Sequence, residues 1–117
     1  MTVSSLITTH VLDTSTGRPA AGMEFELARR TSAADGWEVI AQGVTDSNGR
    51  STGLEIDGPL TAGVYCLKFA TGAYFERQGV ATFYPTVTVE FTIAAAAERY
   101  HVPLILGPFG YSTYRGS

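Results

Sequence analysis

The sequence predicts an all-β fold: two antiparallel sheets packed as a sandwich of about seven or eight short strands, with one short helix. Two observations carry this expectation. Apolar and polar residues alternate in run after run, and turn residues (Gly, Pro, Asn, Asp) punctuate those runs roughly every 8 to 12 residues. Only one stretch has helical character. At 117 residues the chain can bury roughly two-thirds of its unfolded surface, enough for one core and a single domain spanning 1–117.

The first strand is Leu6 to Asp13. It sets Leu6, Thr8, His10 and Leu12 on one face and Ile7, Thr9, Val11 and Asp13 on the other, so His10 lies mid-strand. Thr14 to Pro19 has the turn chemistry to end it. From Met23 to Arg30, Met23, Phe25 and Leu27 point inward while Glu24 and Glu26 point to solvent. A polar loop leads to a third strand, Trp37 to Val44, with Trp37, Val39 and Ala41 on one face. Thr45-Asp46-Ser47-Asn48-Gly49-Arg50 is a tight turn that leaves Arg50 just beyond it, and Ser51 to Ile56 is a short edge strand.

Val64 to Ala70 alternates Tyr65, Leu67 and Phe69 against Val64, Cys66 and Lys68. Thr71 to Gln78 is the helix, with Thr71 as its cap and Gly79 at its end. Thr86 to Ile93 and Arg99 to Leu106 are two long strands whose inward residues are Val87, Val89, Phe91 and Ile93, then Tyr100, Val102, Leu104 and Leu106. His101 therefore faces outward. Ala94 to Ala97 is a linker between them. After Gly110, a turn residue, Tyr111-Ser112-Thr113-Tyr114-Arg115-Gly116-Ser117 forms a final strand unusually rich in aromatics and hydroxyls for a chain end.

Composition narrows the function. A net charge of −3, an isoelectric point near 5.2 and a single lysine, Lys68, exclude nucleic acid as a partner, because phosphate binding needs a clustered basic surface. Only 16% of residues are charged, a lean exterior that points to cover by further copies of the chain. Cys66 is alone, forms no internal disulfide and is expected as a buried thiol. The sequence has no basic-then-apolar leader, no window of about 18 apolar residues and no terminal Ser-Lys-Leu, so no membrane partner is expected and the cytoplasm is the expected compartment.

Several chemistries lack their motifs. No His-x-His or Cys-x-x-Cys spacing supports a metal site, the Asp46 turn lacks the acidic ladder and terminal Glu of a calcium loop, no Gly-x-Ser-x-Gly elbow surrounds Ser117, and no Gly-rich segment feeds a helix. There remain His10, His101, Arg50, Arg115, Tyr114 and Ser117. Imidazole titrates near neutrality and activates water; guanidinium grips a planar, electron-rich ligand and steadies an oxyanion. That set suits cofactor-free hydrolysis of a small polar ring compound.

Leu6-Ile7-Thr8-Thr9-His10-Val11-Leu12-Asp13 with Thr16-Gly17-Arg18-Pro19-Ala20, the Asp46-x-x-Gly49-Arg50 turn, Tyr100-His101-Val102-Pro103-Leu104 and the closing Tyr114-Arg115-Gly116-Ser117 together resemble the 5-hydroxyisourate hydrolase family, transthyretin-related enzymes of urate degradation. The resemblance spans nearly the whole chain. It implies a transthyretin-like sandwich of eight strands, assembled as a homotetramer (a dimer of dimers) with sites at the dimer–dimer interface. It also implies hydrolysis of 5-hydroxyisourate without metal or organic cofactor. By matching positions, His10, Arg50, His101 and Ser117 are the implied catalytic set, with His10, Arg50 and Tyr114 binding substrate. One histidine would take a proton from the attacking water; between His10 and His101 the sequence leaves the choice open. Strict alternation puts Tyr114 and Ser117 on opposite faces, which a bend at Gly116 would reconcile. A thyroid-hormone carrier of the same architecture and a structural sandwich module are the competing readings. The carrier lacks the closing Tyr-Arg-Gly-Ser and the paired histidines.

Overall fold

A computed structural model describes residues 3–4, 6–34, 36–52, 54–95 and 98–117. Its strands are β1 (Val3–Ser4), β2 (Ile7–Asp13), β3 (Arg18–Pro19), β4 (Glu24–Arg30), β5 (Trp37–Thr45), β6 (Ser51–Thr52), β7 (Ile56–Asp57), β8 (Gly63–Phe69), β9 (Val87–Ile93), β10 (Tyr100–Gly107) and β11 (Gly110–Thr113); α1 (Thr71–Glu76) follows β8. They form a sheet in the order β11-β10-β2-β3, a second in the order β6-β5-β4-β8-β9, and a small β1-β7 ribbon. The all-β sandwich with one short helix is as expected.

The core lies between the inner faces of the two larger sheets. Ile7 and Val11 of β2 and Leu104 and Leu106 of β10 are fully buried, as are Leu27, Tyr65, Leu67, Phe69 and Ile93 or nearly so. Because side chains alternate along a strand, burying Ile7, Thr9, Val11 and Asp13 turns Thr8 and His10 outward; the same rule turns His101 outward between Tyr100 and Val102. Both outward faces belong to one sheet. Hydrophobic burial thus sets where the functional side chains point.

One pair departs from the antiparallel expectation. β2 and β10 run parallel, with Thr8 opposite His101 and His10 opposite Pro103. A parallel pair needs a long connection, and here the entire second sheet serves as that connection. The expected third strand also changes face midway. A register shift leaves Ile40 as the extra residue of a β-bulge, so Val39 pairs with Ala28 while Ala41 pairs with Leu27. Trp37 and Val39 therefore lie on the outer face and Ala41 on the inner, where one face was expected for all three.

Other boundaries move for local reasons. Ser51 to Ile56 is two short strands in different sheets, β6 and β7. Thr71 does not cap α1: it is fully buried and its hydroxyl donates to the Tyr84 carbonyl (2.8 Å), so tertiary packing claims the group that would have capped. The helix stops at Glu76, with Gly79 at φ +69° closing the turn after it. Cys66 is half-buried on the outer face of β8, where partial burial pushes its thiol pKa up. Gly110 opens β11 instead of forming the turn, and the strand ends at Thr113. The Ala94 to Ala97 linker extends into 96–97, which lie outside the described residues. Among the described residues no helix is long and apolar enough to cross a membrane.

Asp13 is buried, and its carboxylate accepts from the Tyr74 hydroxyl (2.7 Å) and from both the Ser15 amide and hydroxyl. These bonds tie β2, the turn after it and α1 together. Asp13→Ala strands the Tyr74 donor and is expected to cost about 2–4 kcal/mol, read as a lower denaturation midpoint with an unchanged m-value.

Candidate active site

The turn between β5 and β6 is built on Asp46. Its Oδ1 accepts the amides of Asn48 (2.8 Å) and Arg50 (3.0 Å), and Gly49 at φ +75° supplies the left-handed residue. The Gly49 carbonyl accepts the Val11 amide (2.8 Å), and a Cβ on Gly49 would stand 2.5 Å from the Val11 carbonyl oxygen. Only glycine lets this turn dock so closely on β2. The docking makes His10 and Arg50 β-bridge partners, two residues far apart in sequence. His10 Nε2 lies 2.9 Å from the Asn48 carbonyl, an acceptor only, so that nitrogen carries a hydrogen and donates it.

His101 is the more enclosed imidazole. Its Nδ1 lies 2.8 Å from Thr8 Oγ1, and the Gly116 amide donates to its backbone carbonyl (2.8 Å). Burial, then the positive charge of Arg50, then His10, hold its pKa below the ordinary 6.5, while a hydrogen bond to the Thr8 backbone pulls the other way. These surroundings favour the uncharged ring.

The chain's end runs against this ring. Beyond β11 the tail keeps the register of the β10–β11 hairpin, which sets Gly116 opposite His101 as its bridge partner. A Cβ on Gly116 would lie 2.6 Å from His101 Cδ2 and 3.3 Å from Pro103 Cγ, so the glycine sits against the imidazole edge. Arg115, for which the sequence offers no role, anchors the tail: its guanidinium lies 4.6 Å from the centroid of the Tyr100 ring and its Nη2 lies 3.8 Å from Glu98 Oε1. Gly116→Ala is accordingly expected to displace the imidazole or the tail and to lower turnover at least about tenfold with little change in melting temperature, as measured by activity alongside a thermal scan.

Arg50, His101 and Ser117 line one cleft of about 430 Å³ together with Thr8, Arg99, Arg115 and Gly116. Three guanidiniums in one cleft make it cationic in a chain of net charge −3. His10 borders it through Arg50. Tyr114 does not line this cleft; it is exposed and lines an adjoining one with Phe91, Tyr100 and Val89. Sequence reasoning missed Thr8 and Arg99. The alternation that turned His10 outward also turned Thr8, whereas nothing in the sequence marks Arg99. A larger cleft of about 510 Å³ lies against the other sheet between Glu24, Glu26, Gln42 and Lys68, away from both histidines. Its charges are mixed and it gathers no nucleophile or base of comparable chemistry. Among the described residues, no three His, Cys, Asp or Glu side chains gather in a way that would hold a metal ion.

Comparison with known proteins matches this arrangement to a family. The chain is 43% identical to a Salmonella typhi protein named 5-hydroxyisourate hydrolase, over 97% of this chain and 82% of that one. It is 42% identical to the mouse (Mus musculus) protein of the same name, over 99% and 98%. The solved structure of Klebsiella pneumoniae 5-hydroxyisourate hydrolase superposes with a TM-score of 0.81 at 39% identity, covering 95% of this chain and 92% of that one. A model of the HIUase/Transthyretin family matches residues 7–116, and the chain belongs to that family.

Proposed function

We propose that the chain hydrolyses 5-hydroxyisourate, opening its six-membered ring at an amide-type N–C bond to give 2-oxo-4-hydroxy-4-carboxy-5-ureidoimidazoline in urate catabolism. The reaction is placed in the cytoplasm, carried by residues 1–117 as one domain. The observation that carries the reading is the meeting of His101, Arg50 and Ser117 at one cationic cleft, with His10 bridged to Arg50 at its border, in a chain whose relatives bear that hydrolase's name.

In this scheme His101 is the general base and His10 is not. His101 lines the cleft and its surroundings favour the neutral ring, whereas His10 stands at the border with its Nε2–H on the Asn48 carbonyl. The free ring nitrogen of His101 takes a proton from water as the water oxygen bonds to the ring carbonyl carbon. Arg50 donates to the carbonyl oxygen as it becomes an oxyanion and, with His10, holds the anionic ring. When the intermediate collapses, the C–N bond breaks and the imidazolium returns its proton to the leaving nitrogen. Ser117 offers its hydroxyl to the bound ring. Tyr114 also contacts substrate in this scheme, and assembly is what brings it there, since within one chain it faces the adjoining cleft. The assembly is a homotetramer, a dimer of dimers with sites at the dimer–dimer interface; support comes from the lean charge and from Phe83 and Phe109, each 70% exposed.

The test is direct. The protein is added to 5-hydroxyisourate freshly generated from urate, and the ultraviolet decay is followed. Acceleration over the spontaneous reaction is the expected result, and its absence removes the proposal.

A further inference from the structure

The geometry points to Thr8 as a positioning residue: its hydroxyl, set opposite His101 by the parallel register of β2 and β10, accepts the Nδ1 proton and so keeps Nε2 free to act as the base. The inference rests on the hydrolase reading for its kinetic consequence, though not for its spectroscopic one. Nearby threonines set the contrast. Thr9 donates to the Val102 carbonyl (2.6 Å), Thr14 to that of Leu106 (3.1 Å) and Thr113 to that of Pro103 (2.7 Å), each spending its hydroxyl on the backbone of β10. Thr8 makes no such bond among the described residues; its hydroxyl meets the imidazole at 2.8 Å.

A hydroxyl suits this position because it both donates and accepts. Neutral imidazole has one protonated nitrogen. If Thr8 donated to Nδ1, the proton would sit on Nε2 and that nitrogen could take no other. With Thr8 accepting from Nδ1–H, Nε2 keeps its lone pair, and the same bond persists when the ring gains its second proton during turnover. The ring is thus held through the cycle without adding a negative charge beside it. Among the described residues, the charged groups that line its cleft are Arg50 from the β5–β6 turn, Arg99 ahead of β10 and Arg115 from the tail, the last 3.8 Å from Glu98, and His10 of β2 is its titratable neighbour. A carboxylate in place of Thr8 would favour the imidazolium and silence the base at neutral pH. Thr8 orients without doing so.

The test compares the wild type with Thr8→Val, which keeps the shape and the backbone contact of residue 8 and loses only the hydroxyl, and Thr8→Ser, which restores it. The imidazole ¹⁵N shifts of His101 are expected to report the Nδ1–H tautomer in the wild type and in Thr8→Ser, and a shift toward Nε2–H in Thr8→Val. The Thr8→Val kcat is expected to fall about three- to tenfold, the worth of one hydrogen bond, with KM changed less than twofold and Thr8→Ser within twofold of wild type. Should Thr8→Val fail to fold, Thr8→Ala carries the same measurement. A Thr8→Val ring still in the Nδ1–H form, or a Thr8→Ser variant as impaired as Thr8→Val, overturns the inference. If the wild type leaves 5-hydroxyisourate decay unchanged, the proposed function fails while the tautomer measurement still decides the role of Thr8.

Discussion

His101→Ala is expected to lower kcat for 5-hydroxyisourate by about 10²–10⁴-fold, the usual cost of losing a positioned general base. The ring lies half-buried beside Arg50 and His10, and all three influences disfavour its charged form. The wild-type rate should therefore hold through neutral pH and decline only as pH falls through a value below 6.5, where the base becomes protonated. Arg50→Gln removes one depressing charge, so the acid limb of its residual activity should move to higher pH. His10→Ala should retain an acid limb, and His101→Ala should lose it. A pH–rate series on the three variants separates these outcomes. Stability follows the same sign. The folded-state pKa of His101 lies below its unfolded value, so its contribution is fully present above the unfolded pKa. That contribution is lost as pH falls through the folded one.

Removal of residues 115–117 is expected to reduce kcat/KM by about 10²–10³-fold while leaving the melting temperature within a few degrees of wild type. The deletion takes the Ser117 hydroxyl from the cleft, the Gly116 bridge from His101 and the Arg115 anchor from Tyr100. It spares β11, whose pairing with β10 ends at Thr113, and it removes no buried apolar side chain. Exposed ends contribute little to global stability. Circular dichroism melts beside the ultraviolet assay check both halves; a melting temperature that collapsed with the activity would mean that the tail supports the fold.

Much of this arrangement was legible in the chain because one-sided burial imposes a period of two. Leu6 to Asp13, Met23 to Arg30, Val64 to Ala70 and Arg99 to Leu106 all bury the face their alternation indicates, and both histidines lie opposite it. Asp46, Asn48 and Gly49 announced a turn by their own chemistry, and Arg50 follows it. Pairing between distant strands leaves no such trace. Nothing within Ile7 to Asp13 states that its neighbour is Tyr100 to Gly107 or that the two run parallel. The Ile40 bulge escaped for a related reason, since an extra residue is defined only against a partner strand. Thr71 has the composition of a cap, and only the packed structure reveals that the Tyr84 carbonyl takes its hydroxyl. The meeting of Thr8 with His101 required the register, so its alternation alone could not single it out.

The parallel pairing of β2 with β10 also bears on when activity can arise. The Thr8–His101 contact closes a separation of 93 residues, and Gly116 then reaches the same ring through the β10–β11 hairpin. Closing so long a loop is entropically costly and slow compared with joining adjacent hairpins such as β4–β5. During synthesis, β4, β5 and β8 are available to pair before residue 101 has been added, but the base has no orienting partner until nearly the whole chain has emerged. The site is therefore among the last features to form, and catalytic competence in a refolding or translating population reports completed folding more stringently than sheet content does.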